Sequence, residues 1–189
     1  MKLKVASITN LTDARFFSAI GAHYLGFCFD ALNEKNISIP KAKEIVQWLH
    51  DPVIVGEFGS HQSKEEIEFI AKEMKLDEIQ IPFSHGQKDE LSFDKFLMLD
   101  KILTIDDSKQ STDFFVISID ESNLADASLK TFISNNKVFI EADFNKENIL
   151  SFTEILKPYG IQITCEKEEK PGFSFVDEYA ETLEIIGFS

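Results

Sequence analysis

Short runs of apolar residues alternate with longer amphipathic stretches along almost the whole chain. Each short run has the length of a strand, and each longer stretch repeats its apolar residues at helical spacing. Because strands that alternate with helices pair in parallel, the pattern predicts an α/β fold with one parallel sheet. Eight predicted strands lie at residues 3–8, 24–29, 53–58, 78–82, 96–105, 113–120, 138–142 and 160–164.

Several predicted helices begin with residues that favour a helix start. Asn10 precedes the first helix, Pro40 lies in the first turn of the second, and Ser63 precedes the third. The connections after the fourth and fifth strands lack this helical pattern. Residues 84–94 are mostly polar, and the connection at residues 106–112 is too short for a full helix. We therefore expect shortened helices at these two places.

Eight strand–helix units of this kind are most simply accommodated by closing the sheet into a single (β/α)₈ barrel domain over residues 1–189. A doubly wound open sheet is the structural alternative. No GxGxxG or GxxxxGK[ST] segment is present, so the common nucleotide-binding signatures are missing. The shortened helices would leave apolar barrel surface uncovered, which predicts a homodimer formed through that face.

The chain is acidic, with a formal net charge of −14. This charge argues against nucleic acid or an anionic membrane surface as a partner, because both are polyanions. No long apolar stretch indicates a signal peptide or a membrane span. Cys28 and Cys165 stand far apart without metal-ligand spacing, so we expect reduced thiols, a cytoplasmic location and neither a metal nor a cofactor.

Five segments of the chain follow a recognisable family pattern. In order they are KVASITN at 4–10, GAHYLGFCF at 21–29, VGEF at 55–58, IQIP at 79–82 and PYG at 158–160. In this order and at these separations they resemble phosphoribosylanthranilate isomerase, a TIM-barrel enzyme of tryptophan biosynthesis. The resemblance frames both ends of the chain, whereas residues 84–135 align only loosely.

The resemblance implies an Amadori rearrangement, which needs a general base and a general acid at the carboxyl ends of the barrel strands. The family's Cys base corresponds to Ala6, whose methyl group cannot exchange a proton. The neighbouring glycine corresponds to Ser7, a weak base without an activating partner. The family's Asp acid corresponds to Ser118. Asp120 is a candidate displaced acid, although a carboxylate that caps a loop or helix is the simpler interpretation.

The resemblance also places the substrate phosphate between two glycine-containing loops, whose bare backbone lets an anion approach closely. The corresponding residues here are Asp143 in one loop and Glu166 and Lys167 in the other. Each carboxylate would oppose a bound phosphate by on the order of 4 kcal/mol at close range. The family's Arg that meets the anthranilate carboxylate corresponds to Lys35, which keeps the charge without the bidentate geometry.

Three hypotheses follow for the function. The first is an isomerase-like barrel that lacks efficient isomerase activity and binds a different small molecule at the same mouth. The second is a genuine but divergent isomerase, with Asp120 as the acid and a relocated base. The third is a non-enzymatic interaction or regulatory module. An acidic rim formed by Asp120, Asp143 and Glu166 would suit a cation or an amine, although solvated loop carboxylates are the simpler interpretation.

Overall fold

The computed structural model describes residues 1–76, 78–99, 114–165 and 176–189. Eight parallel strands close into a barrel in the order in which they occur along the chain, so that the first strand pairs with the eighth. This confirms the barrel over the open sheet. The strands are β1 (Lys2–Ala6), β2 (Tyr24–Cys28), β3 (Val53–Glu57), β4 (Glu78–Pro82), β5 (Asp94–Leu99), β6 (Phe114–Ser118), β7 (Val138–Glu141) and β8 (Gly160–Thr164).

Helices cover the outside of the barrel, and the residues that begin them are largely those expected. The Asn10 side chain accepts a hydrogen bond from the Asp13 amide, and Ser63 does the same for Glu66. The six α-helices of the described residues are α1 (Leu11–Ala19), α2 (Ile39–Val46), α3 (Lys64–Met74), α4 (Ala127–Asn135), α5 (Ile149–Leu156) and α6 (Val176–Glu184).

The described connection after β4 contains a three-residue 3₁₀ turn at Lys88–Glu90 in place of a full helix, in agreement with the shortened helix predicted there. The connection after β5 lies outside the described residues. The helical connection after β6 is divided into a 3₁₀ turn at Glu121–Ala125 and α4, because Asp120 caps the first and Asp126 caps the second. The fifth strand, expected at 96–105, is described at Asp94–Leu99.

The described residues between β4 and β5 carry no exposed large hydrophobic side chain. Leu91 is buried, and Phe83 and Phe93 pack against the core. This stretch therefore lacks the uncovered apolar surface on which the expected homodimer was based, as far as the chain is described there.

Aromatic side chains fill the lower half of the barrel. Phe96 and Phe114 stack with their ring centroids 4.7 Å apart, and Tyr24 and Phe139 meet Phe96 edge-on at 5.1 and 5.3 Å. Gly160 makes room for them, since a Cβ there would lie 2.4 Å from the Phe139 ring. The aromatic layer fills the amino-terminal half of the interior, and a cavity lies at the carboxyl ends of the strands.

Candidate ligand site at the barrel mouth

A cavity of about 400 Å³ occupies the mouth of the barrel above the aromatic layer. Inward-facing residues at the carboxyl ends of the strands form its walls, as is usual for sites in this fold. The volume suits a small molecule. Its polar lining consists of Ser7, Asp30, Asn33, Glu34, Lys35, Glu57, Gln80, Glu141, Gln162 and Thr164.

A buried ion pair lies on one side of this cavity. The Lys4 ammonium is 3.0 Å from Glu57 Oε1, and the side chains are 0% and 7% exposed. The backbone and hydroxyl of Ser7 donate to Glu57 Oε2 at 3.0 and 3.1 Å. Ser7 has a φ of 58°, a left-handed conformation that favours glycine, and this is the position at which the family has one. Three donors thus hold the Glu57 carboxylate in place.

The Ala6 methyl group is buried and lines the cavity, as its place at the end of β1 predicted. The Glu57 carboxylate lies nearby, because a Cβ built on Gly26 would be 1.9 Å from Glu57 Oε1 and 3.3 Å from the Ala6 backbone. Glu57 is already engaged by Lys4 and Ser7. A proton arriving on this carboxylate would disrupt those contacts, so Glu57 is poorly prepared to act as a base.

A second carboxylate, Glu141 at the end of β7, lies on another wall of the cavity. Glu141 accepts hydrogen bonds from Ser118 Oγ at 2.9 Å, from Gln162 Nε2 at 3.3 Å and from the Thr164 hydroxyl. Ser118, at the position of the family's acid, is therefore a donor to Glu141. None of these donors carries a charge, so among the described residues Glu141 is held by neutral dipoles.

Two glutamines of the cavity wall are incompletely hydrogen-bonded. Gln80 and Gln162 are 5% and 1% exposed, and the carbonyl oxygen of each has no hydrogen-bond partner among the described residues. Their amide nitrogens donate to Met98 Sδ and to Glu141, respectively. A buried carbonyl without a donor is energetically unfavourable, by about 1–3 kcal/mol. These oxygens are therefore candidates for satisfaction by a ligand.

The loop after β7, where the family holds its phosphate, is organised by internal hydrogen bonds. The amide of Phe144 donates to Ala142 at 2.9 Å, and that of Asn145 donates to the Asn148 side chain at 2.9 Å. Asp143 is exposed and does not line the cavity. The amides of Phe144 and Asn145 are thus already engaged. Glu166 and Lys167, in the loop after β8, lie outside the described residues.

Asp120 is exposed and lies outside the cavity lining. Its carboxylate caps the 3₁₀ turn that follows β6, and hydrogen bonds from the Ser122 hydroxyl and amide lower the pKa of Asp120. A lowered pKa keeps this group ionised near neutral pH, which does not suit a general acid. The described members of the expected acidic rim, Asp120 and Asp143, therefore do not converge on the mouth.

Three further side chains have separate environments. Lys35 lines the cavity in the segment after β2, where its backbone amide donates to Asn33. Cys28 also lines the cavity, and burial raises the pKa of its thiol to about 11, so it is protonated at neutral pH. His85 is buried and its Nε2 lies 2.9 Å from the Gln62 carbonyl. In the part of the chain that the structure describes, no group of three His, Cys, Asp or Glu residues could hold a metal ion.

The residues that shape this site are therefore only partly those expected from the sequence. Ala6 and Lys35 line the mouth, while Lys4, Glu57, Gln80, Glu141 and Gln162 were not expected to contribute. The alternation of side chains along a strand could have identified these residues, because every second side chain faces the barrel interior. Polar residues at such inward-facing positions, near the carboxyl ends of otherwise apolar strands, indicate a site.

Comparison with known proteins identifies relatives along nearly the full length. No protein-family model matches the chain. It is 27% identical to N-(5'-phosphoribosyl)anthranilate isomerase of Aquifex aeolicus, with 91% of each chain covered. It is 38% identical to the enzyme of the same name from Bacillus cereus, over 47% of this chain and 42% of the relative.

The solved structures that it resembles have the same barrel. Phosphoribosyl anthranilate isomerase from Thermus thermophilus superposes with a TM-score of 0.78 at 20% identity, covering 98% of both chains. A phosphoribosyl anthranilate isomerase in complex with reduced 1-(o-carboxyphenylamino)-1-deoxyribulose 5-phosphate gives 0.75 at 19% identity, covering 97% of both. At these identities the structures establish the fold alone. Among the described helices, none is long and apolar enough to cross a membrane.

Proposed function

Because the chain is a divergent member of the phosphoribosylanthranilate isomerase family, we propose that it is a small-molecule-binding barrel that does not isomerise phosphoribosylanthranilate efficiently. The observation that carries this proposal is the pair of substitutions at the two proton-transfer positions. The Ala6 side chain has no exchangeable proton, and the Ser118 hydroxyl donates a hydrogen bond to Glu141. Without a base and an acid at these points, the rearrangement loses the contribution of about 10²–10⁴ that each usually makes.

The charges at the barrel mouth also support the proposal. The ligand of the solved relative, reduced 1-(o-carboxyphenylamino)-1-deoxyribulose 5-phosphate, carries a carboxylate and a phosphate by its name. Here the cavity wall contains the carboxylates of Asp30, Glu34, Glu57 and Glu141. Lys4 neutralises Glu57 from within, which leaves Lys35 as the cationic side chain of the described lining. Such a site repels a ligand with two anionic groups.

A genuine but divergent isomerase is the alternative, and one observation favours it. A carboxylate lies beside each of the two positions that lack the family's proton-transfer residues. Glu57 lies next to Ala6, and Glu141 accepts a hydrogen bond from Ser118. In that case Glu57 would take the proton and Glu141 would supply one. The engagement of Glu57 by three donors argues against this assignment.

A turnover assay with phosphoribosylanthranilate decides between these two functions. Turnover by the purified protein would be measured as the loss of substrate fluorescence. Rescue of a tryptophan-requiring strain would be tested in parallel. We expect turnover at least about 10⁴-fold below that of an isomerase from the family, assayed in parallel, and no rescue. Rescue, or turnover within about tenfold of that control, would contradict the proposal. Loss of such turnover in Glu57→Gln and Glu141→Gln, each first shown by circular dichroism to be folded under the assay conditions, would support the alternative.

A further inference from the structure

Glu141 carries a charge that the described structure does not neutralise. Its hydrogen-bond donors are two hydroxyls and one amide, from Ser118, Thr164 and Gln162. None of the ion pairs found among residues 1–76, 78–99, 114–165 and 176–189 involves it. Glu57, in contrast, has Lys4 at 3.0 Å. A half-buried carboxylate held only by neutral donors is a favourable place for a cation.

The buried glutamines are an independent indication of a ligand. Gln80 and Gln162 line the same cavity and are at least nine-tenths buried, and in the part of the chain that the structure describes the carbonyl oxygen of each lacks a hydrogen-bond donor. Rotation about the last side-chain torsion, which is soft for an amide, would turn these oxygens toward a donor in the cavity. In Gln162 this rotation withdraws the amide hydrogen bond from Glu141, and a bound ammonium would replace it. Gln162 already contacts Glu141. A ligand with several donors would therefore meet the carboxylate and a neighbouring carbonyl together.

Resting on the proposed function, which keeps a small-molecule site at the mouth, we propose that the cavity binds a small hydroxylated amine of the amino-sugar or aminopolyol class. The ammonium lies on Glu141, and the hydroxyl groups face Gln80, Gln162 and the hydroxyls of Ser7 and Thr164. Side-chain hydroxyls and amides both donate and accept, as sugar hydroxyls do. A cavity of about 400 Å³ accommodates a molecule of five or six carbons.

The surrounding charges favour the same class of ligand. Asp30 and Glu34 line the cavity together with Lys35, so carboxylates outnumber ammonium groups in the described lining. An acidic approach raises the local concentration of cations and lowers that of anions. The described residues offer no cluster of three His, Cys, Asp or Glu side chains for a metal ion. An organic ammonium, which needs one carboxylate and a few acceptors, fits this arrangement.

Calorimetric titration at pH 7 and low salt tests the proposal with matched pairs of probes. D-Glucosamine and glucamine are compared with D-glucose and D-sorbitol, which replace the amine by a hydroxyl. We expect saturable binding of at least one amine, at least about tenfold tighter than its neutral counterpart. Glu141→Gln should remove that preference. Glu154→Gln is the control, because it removes the same charge from an exposed residue of α5, and it should retain the preference. Gln162→Met should weaken the amine by several-fold without a change of charge.

Two results would overturn the inference: neither amine binds, or the preference for the amine survives Glu141→Gln. If Glu141→Gln does not fold, the preference of the wild-type protein and the response of Gln162→Met decide the question. The isomerase assay is scored separately. Turnover of phosphoribosylanthranilate would overturn the proposed function, while failure of both amines to bind would leave the loss of isomerase activity standing.

Discussion

The Glu57 carboxylate and the Lys4 ammonium form an ion pair of 3.0 Å inside the barrel, although 53 positions separate them in the chain. The ammonium also lies 5.4 Å from the centroid of the Phe96 ring, at the boundary between the aromatic layer and the cavity. Lys4 therefore has one charged partner above it and an aromatic face beside it. This arrangement explains how a fully buried lysine is tolerated, because an unpaired charge there would be costly.

Replacing Glu57 by Gln should destabilise the protein strongly, since it leaves the Lys4 ammonium buried without a counter-charge. We expect a loss of about 3–5 kcal/mol in the free energy of unfolding, measured by urea denaturation at pH 7. Glu73→Gln is the matched control, because Glu73 pairs with Lys43 on the exposed surface and its loss should be barely measurable. Equal midpoints for the two variants would show that the buried pair is not important for stability.

Gly26 and Glu57 should be energetically coupled. A Cβ at residue 26 would lie 1.9 Å from Glu57 Oε1, so Gly26→Ala must displace the carboxylate from Lys4. We expect Gly26→Ala to cost about 1–3 kcal/mol, as overpacking usually does. The cost should shrink in a Glu57→Ala background, where the space is vacant. A double-mutant cycle by urea denaturation measures this, and strictly additive effects would refute the coupling.

Restoring the family's residues at the two proton-transfer positions should not restore efficient catalysis. In Ala6→Cys with Ser118→Asp, the new carboxylate faces Glu141, and the mouth still repels an anionic substrate. We expect no rescue of a tryptophan-requiring strain and only trace turnover in the fluorescence assay. Rescue by this double variant would mean that the loop containing Asp143 still accepts the phosphate.

The Cys28 thiol should remain protonated at pH values at which an exposed cysteine has already ionised. Burial raises the folded-state pKa of this thiol from its ordinary value of 9.0 to about 11. Between these values the unfolded chain loses the proton first, so this group's contribution to stability, intact at lower pH, is lost as the pH rises toward 11. In Cys165→Ser, iodoacetamide labelling followed by mass spectrometry should show Cys28 reacting much more slowly than in urea at pH 9. Equal rates would contradict the shift.

The number and order of the strands could be predicted from the sequence because each strand contains its own apolar run and each helix its own period. The cap residues Asn10 and Ser63 were also recognisable, since a cap acts within three or four residues of the chain. Helix boundaries near Asp120 and Asp126 were less predictable. Two consecutive caps there compete for one amphipathic stretch and divide it.

The site was predictable only where the family pattern supplied positions. Ala6 and Ser118 were identified in this way, and they lie at strand ends as expected. The rim expected from Asp120, Asp143 and Glu166 relies on adjacency to strand ends, but Asp120 and Asp143 are exposed loop residues outside the cavity lining, and Glu166 lies outside the described residues. Glu57 and Glu141 are the last residues of their strands, and the strand period turns them inward.

The sequence by itself determined the barrel and the absence of a proton-transferring side chain at Ala6, because both depend on residue type and on local periodicity. Only the tertiary structure decided which charges meet. The register of β1, β2 and β3 brings Lys4, Gly26 and Glu57 to one point, and the pairing of β7 with β8 sets Gln162 beside Glu141. Contacts between distant segments depend on how strands are aligned across the sheet, and no local pattern along the chain contains that information.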